Sequence, residues 1–246
     1  MPRFTSPRFT DPRRTLASAA IGLALVASAS TAFMPGTTMA ASTATEVTGT
    51  PAAQTCVVDA NHVPAAASSA AATYTVDAAN STVSYTVQEV LTGQGDATAV
   101  GTSNALIGTL LLDSAGAPAP CSVVYVDLRT LKTDEDRRDN QVQNVLETST
   151  YPLGTFIVTG VQGLDGTLTD GQEHTFTLIG ELTVHGVTKQ TSWDATVKID
   201  GGTLTGTATT TITFGDFGMD APVFGPVASI QDEFQLSINL TATSAA

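Results

Sequence analysis

The sequence predicts an all-β fold: one antiparallel domain of about eight strands with a single short helical crossing, closed as a sandwich or as a barrel. Three observations predict it. Large apolar residues recur at every second position in run after run, with Thr and Val filling many of the places between, as a pleated, half-buried surface requires. Turn signals at Asp113-Ser114-Ala115-Gly116, Asp165-Gly166, Asp170-Gly171 and Asp200-Gly201-Gly202 punctuate the runs. Helical spacing occurs in one polar stretch only, so the strand-helix alternation of a parallel sheet is absent.

In chain order, residues 1–40 of the 246 read as an export signal. Arg13 and Arg14 precede an Ala-rich apolar run from Leu16 to Phe33, and Thr38-Met39-Ala40 supplies the small residues before a cleavage site. The context Arg13-Arg14-Thr15-Leu16 resembles a twin-arginine signal. An uncleaved anchor is the alternative, but the run is diluted by Ser, Thr and Ala and ends at Met34-Pro35-Gly36. The protein is therefore expected outside the cytoplasm, secreted or in the periplasm or cell envelope. Residues 41–73, rich in Ala, Thr and Ser, are expected to form a flexible tether, with Cys56-Val57-Val58 able to dock on the body.

The domain is expected over 74–246. Val83, Tyr85 and Val87 alternate with Ser84 and Thr86. The same period recurs in Phe176, Leu178, Leu182 and Val184, and in Trp193, Ala195, Val197 and Ile199. It continues in Leu204, Ala208, Ile212 and Phe214, and in Phe234, Leu236, Ile238 and Leu240. Asp200-Gly201 between two such runs predicts a short hairpin. From Asp134 to Glu147 the chain is polar, with Val142, Val145 and Leu146 at helical spacing, which predicts a short helix ending before Tyr151-Pro152.

Charge and composition narrow the function. The formal net charge is −13, and loss of the leader would remove four of the ten basic residues. Such a chain has almost no basic surface for a nucleic-acid backbone or an anionic membrane. A hydrophobic content of 42% argues against long disorder, and beyond the leader no apolar run is long enough to span a bilayer. Cys56 and Cys121 sit at no metal-binding spacing, and outside the cytoplasm they are expected to form one structural disulfide.

No constellation for chemistry emerges, so neither a catalytic residue nor a cofactor nor a metal is expected. His62, His174 and His185 share no strand face or helix turn, and His185 reads as an exposed turn residue. No G-x-S-x-G elbow is present, and Asp216 and Asp220 flank an apolar segment without a partner base. One local feature stands out. Arg129, Lys132, Arg137 and Arg138 fall within ten positions of an otherwise acidic chain. They are head-group candidates for an anionic ligand, set against simple pairing with the interleaved Asp134, Glu135, Asp136 and Asp139.

Several segments, taken in order, resemble the YceI-like family of secreted, lipocalin-like barrels associated with polyisoprenoid or other lipid binding. The segment YTVDAANSTVSYTVQ resembles its opening strand pair, with Ser81 and Val83 in place. Arg138-Asp139, Tyr151-Pro152 and Phe156 resemble its centre, and GELTVHGVTK, Gly180 to Lys189, its most distinctive hairpin. Asp216-Phe217-Gly218-Met219 is similar to its late turn, and Ile230 to Leu240 to its closing strand. The chain departs from the pattern at Asn80, at Gln88-Glu89 and at Phe214, where the family commonly carries histidines and a basic residue.

The resemblance implies a lipocalin-like barrel and an exported, non-catalytic binding protein for a long apolar ligand held inside it. Eight strands enclose just enough room for side chains or for one slender ligand. The inward lining is then expected from Tyr85 and Val87, from Phe156, Phe176 and Leu178, from Trp193, Phe217 and Met219, and from Phe234 and Leu236. Phe217 is expected to cap a barrel mouth. The alternative is a secreted structural or stress-associated module whose barrel is filled and whose outer surface meets a partner.

Overall fold

The computed structural model describes residues 56–59 and 61–245; the expected export signal and the first part of the expected tether lie outside them. Ten strands run in chain order: β1 (Ala72–Val76), β2 (Thr82–Leu91), β3 (Gly95–Ser103), β4 (Leu106–Leu112), β5 (Val123–Asp127), β6 (Leu153–Gln162), β7 (Glu173–Val184), β8 (Val187–Asp200), β9 (Thr203–Thr213) and β10 (Val227–Ser244). One α-helix, α1 (Asp136–Val145), lies between β5 and β6.

The strands make one antiparallel sheet ordered β1-β4-β5-β6-β7-β8-β9-β10-β2-β3, and a further β1–β10 pairing closes it. Ten strands give eight staves, because two staves are broken. β10 pairs with β2 through Val227–Asn239 and with β1 through Ala242–Ser244, so β1 and β2 are one stave interrupted at the 3-10 turn Ala78–Asn80. Asp77 holds that turn by accepting from the Ala79 amide, and Ser81 Oγ bonds across to the Thr241 carbonyl. β3 follows β2 and β4 follows β1, so these two form one stave as well. The result is the closed eight-stave barrel, lipocalin-like in form; among the described strands β3 pairs on one side only.

Closure decides between the barrel and the sandwich that alternation left open. The breaks also open the wall at one end. β5 reaches β4 over Leu106–Thr109 but not β3, where a single bridge, Thr102 to Lys132, continues the contact. α1 crosses this end, and Val145 in its last turn and Leu146 just after it pack against the core cluster that contains Phe156, Val184 and Phe217. Its polar composition fits a helix with only one edge turned inward.

Local sequence explains the tight joints. Val184-His185-Gly186-Val187 is a two-residue hairpin with positive φ at both central positions, 52° and 70°. A side chain at Gly186 would put its Cβ 2.5 Å from the Tyr151 ring, so the position takes glycine for room as well as for φ. Gly180, facing inward on β7, admits the Phe156 ring, which a Cβ there would meet at 2.5 Å.

Residues 56–73 carry structure of their own. Cys56 is bonded to Cys121 with Cα atoms 5.4 Å apart, Ala65 N donates to Val57 O at 2.8 Å, and Ala71 N donates to Leu112 O at 2.9 Å. The disulfide closes a sequence separation of 65 residues. The chain-entropy model sets its worth at about 4 kcal/mol. Fraying of the short segment ahead of β1 offsets part of that loss in the reduced protein. Replacing both cysteines with serine is therefore expected to cost about 2–4 kcal/mol, read from urea midpoints. A change below about 0.5 kcal/mol would show that the bridge is dispensable to the barrel.

Candidate functional site

Inside the barrel, three apolar cavities follow one another among the described residues. The first, of about 90 Å³, is bounded by Leu110, Leu112, Phe176, Leu178, Leu204 and Leu240 among others. A second of about 120 Å³ lies against Tyr85, Leu182, Trp193, Met219 and Leu236. The third, about 70 Å³, lies against Val87, Ala99, Val142, Val145, Phe224 and Ile230. They are in series along the strands. On β10, Leu240 and Ile238 border the first, Ile238 to Phe234 the second, and Phe234 and Ile230 the third. Val124, Phe156 and Ile238 form the partition between first and second; Tyr85, Leu146, Met219 and Phe234 form the next.

The lining expected from alternation distributes over this series. Phe176 and Leu178 border the first cavity, Trp193 and Leu236 the second, Val87 the third, and Phe156, Tyr85, Met219 and Phe234 stand at partitions. Phe217 borders none of the three. It is 0% exposed in the 3-10 turn Gly215–Phe217, packed within the aromatic cluster of Phe156 and Trp193. Trp193 donates its indole N–H to Thr191 Oγ1 at 2.9 Å and lies 5.0 Å, centroid to centroid, from the Phe156 ring, which satisfies its polar handle without water. Unfilled apolar space costs about 24 cal/mol per Å³, so the second cavity alone carries roughly 3 kcal/mol that an apolar occupant would recover.

The four basic residues separate. Arg129 is an exposed partner of Asp127, Nη2 to Oδ2 at 2.8 Å. Lys132 meets Asp139 at 3.1 Å. Arg137 is exposed, with no ion pair among the described residues. Arg138 alone reaches a cavity wall: its Nη2 meets Glu89 Oε1 at 2.8 Å, and its Nη1 meets Asp134, one turn earlier in the chain. Glu89 has a side chain only 1% exposed. Sequence reasoning did not single it out as a site residue, although Val83, Tyr85, Val87 and Glu89 continue one period-2 series that points inward.

Asp139 anchors the loop before α1. Its Oδ1 accepts from Thr133 N at 2.7 Å and from Thr133 Oγ1 at 2.8 Å. Burial works to raise its pKa, but these hydrogen bonds and Lys132 outweigh it and hold the carboxyl below the usual value. A lowered folded pKa contributes stability that is present above the unfolded value and lost as pH falls through the folded one. Asp139→Asn is therefore expected to lower the urea midpoint at neutral pH and to flatten its fall below pH ~4. A midpoint-pH curve parallel to that of the unsubstituted protein would remove Asp139 from this role.

His185 is not the exposed turn residue that its sequence setting suggests. Its side chain is 16% exposed, Nδ1 lies 3.1 Å from Phe217 O, and the ring stands edge-on to Tyr151 at 5.3 Å. The turn carrying Phe217 folds over the hairpin and covers it. Asp216, in the same turn, accepts from Thr213 Oγ1 at 2.8 Å and so fixes the turn.

Comparison with known proteins places these features. The sequence model described as the YceI-like domain matches residues 74–242. A UPF0312 protein of Pseudomonas putida strain GB-1 is 33% identical over 132 residues, covering 50% of this chain and 64% of that protein. One of Pseudomonas syringae pv. syringae strain B728a is 31% identical over 135 residues, covering 51% and 65%. The chain thus spans somewhat less than two thirds of the length of these relatives. Among solved structures, Burkholderia cenocepacia BcnA aligns with a TM-score of 0.53 at 22% identity, over 68% of this chain and 99% of that one. A domain from Saccharophagus degradans, described as polyisoprenoid binding and implicated in plant cell wall breakdown, aligns at 0.53 and 16% identity, over 70% and 98%. These two likenesses are likenesses of fold.

Proposed function

The chain belongs to the YceI-like domain family, and from that premise we propose that it is an exported, non-catalytic carrier of one long apolar molecule, a polyisoprenoid or similar lipid, held along the barrel axis. The carrying observation is the row of three apolar cavities divided only by side chains. Rotamer changes at Phe156 and Met219 would join them, and a chain one methylene wide threads such a passage while gaining about 0.8 kcal/mol per buried CH₂. The polyisoprenoid class follows the description of the Saccharophagus degradans domain. Two features support export: the leader expected from the sequence, and the Cys56–Cys121 bridge, which suits an oxidising compartment. Among the described residues no helix is long and apolar enough to cross a membrane.

Native mass spectrometry of gently purified protein, with uptake of a long-chain fluorescent probe, tests the proposal. Trp193 is the sole tryptophan and borders the second cavity, so its emission reports on the interior. Quenching by the probe, or a lipid adduct in the spectrum, is the expected result; apo protein alone and no uptake would overturn it. Ala208 borders the first cavity, so Ala208→Leu is expected to raise stability by about 0.5–2 kcal/mol and to weaken uptake together. The partitions themselves favour a second reading, a filled barrel that acts through its outer surface. That reading expects Ala208→Leu to destabilise by overpacking.

A further inference from the structure

Three buried polar atoms lack a hydrogen-bond partner among the described residues: Tyr85 Oη, Glu89 Oε2 and Arg138 Nε. All three residues border the third cavity, at the end of the series next to α1. Burial of an unpaired polar atom is costly, and three at one otherwise apolar cavity call for a common partner. Resting on the carrier reading above, we infer that this end of the barrel is a head-group subsite for an uncharged hydroxyl, so that the ligand is an alcohol- or phenol-headed lipid rather than a phosphorylated one.

The inventory of the three atoms carries the chemistry. Tyr85 Oη and Arg138 Nε offer protons, and Glu89 Oε2 offers lone pairs. A hydroxyl has one proton to give and two lone pairs to receive, which is the complement of that set. Burial pushes the Tyr85 phenol up to about 12, so it remains a donor at any physiological pH. An anionic head group meets the opposite situation. Arg138 is already engaged by Glu89 and Asp134, so a phosphate would bring its charge against two carboxylates served by one guanidinium. Glu89 is what sets this preference, because its buried second oxygen is an acceptor for a hydroxyl and repels an anion. Tyr85 is held for the role by Gly101, directly opposite on β3, where a Cβ would collide with the phenol ring.

The test is competition of three probes of equal chain length against a bound fluorescent lipid: a long-chain primary alcohol, the headless alkane and the phosphate monoester. The delipidated protein is expected to bind the alcohol about tenfold or more tightly than either of the others. Tyr85→Phe is expected to lower affinity for the alcohol about threefold to tenfold and to narrow the preference for alcohol over alkane, with its urea midpoint certifying the fold. Glu89→Gln is expected to narrow the discrimination against the phosphate. Alcohol and alkane bound alike, or the phosphate preferred, would overturn the subsite while the carrier reading stands. Displacement by none of the three, with no probe retained, would remove the carrier reading itself.

Discussion

Arg138→Ala is expected to destabilise the protein by about 3–5 kcal/mol, because it strands a buried carboxylate. Glu89 is 1% exposed at its side chain, and Arg138 is its only ion-pair partner among the described residues. The Coulombic gain of such a pair roughly repays its desolvation, so the pair as a whole contributes little net stability. Breaking it from one side differs in kind from removing it. The double replacement Glu89→Leu with Arg138→Met is accordingly expected to recover most of the loss, ending within about 1 kcal/mol of the starting protein. Urea midpoints at pH 7 for the single and double variants decide the matter. A double variant as unstable as Arg138→Ala would mean that Arg138 supports the fold through packing of its stem rather than through Glu89.

Phe217→Ala comes next, with an expected loss of about 3–5 kcal/mol from transfer and cavity terms together. Phe217 is 0% exposed, and its turn shields His185 through the contact of Phe217 O with Nδ1. Removing the ring leaves space beside Phe156 and Trp193 that these packed aromatics fill only in part. For a domain of this size the melting temperature should fall by roughly 2–4 °C per kcal/mol. Phe217→Leu, which keeps most of the volume, should cost about 1 kcal/mol. Equal losses in the two variants would show that the volume of the aromatic ring is not what Phe217 contributes to the cluster.

These two residues also show how unevenly the site could be read in advance. Phe217 sits in an apolar segment between turn residues, and sequence placed it at a barrel mouth with its ring toward a ligand. The fold buries the ring in the wall's aromatic cluster, apart from the three cavities. Glu89 was legible in direction, because alternation from Val83 puts it inside, but an inward carboxylate has meaning only once a cation reaches it. Arg138 lies 49 positions away on a different element, and no local pattern announces that meeting. The basic cluster dissolved for the same reason. Residues within ten positions on an irregular loop and a helix turn to different sides, and only the helix face decides which one reaches the cavity wall.

By itself the sequence determined an antiparallel β body with one helical crossing, where the hairpin at His185-Gly186 turns, and which strand faces are apolar. Those properties are periodic or local, so they follow from side-chain alternation and from the few residues that tolerate positive φ. Tertiary structure alone decided that the sheet closes through β1 and β10, that two staves break, and that the interior holds three hollows in series rather than one tunnel or a solid core. Closure depends on register between strands far apart in the chain, and cavity volume on how side chains from opposite walls interlock. Neither quantity is a property of any one segment.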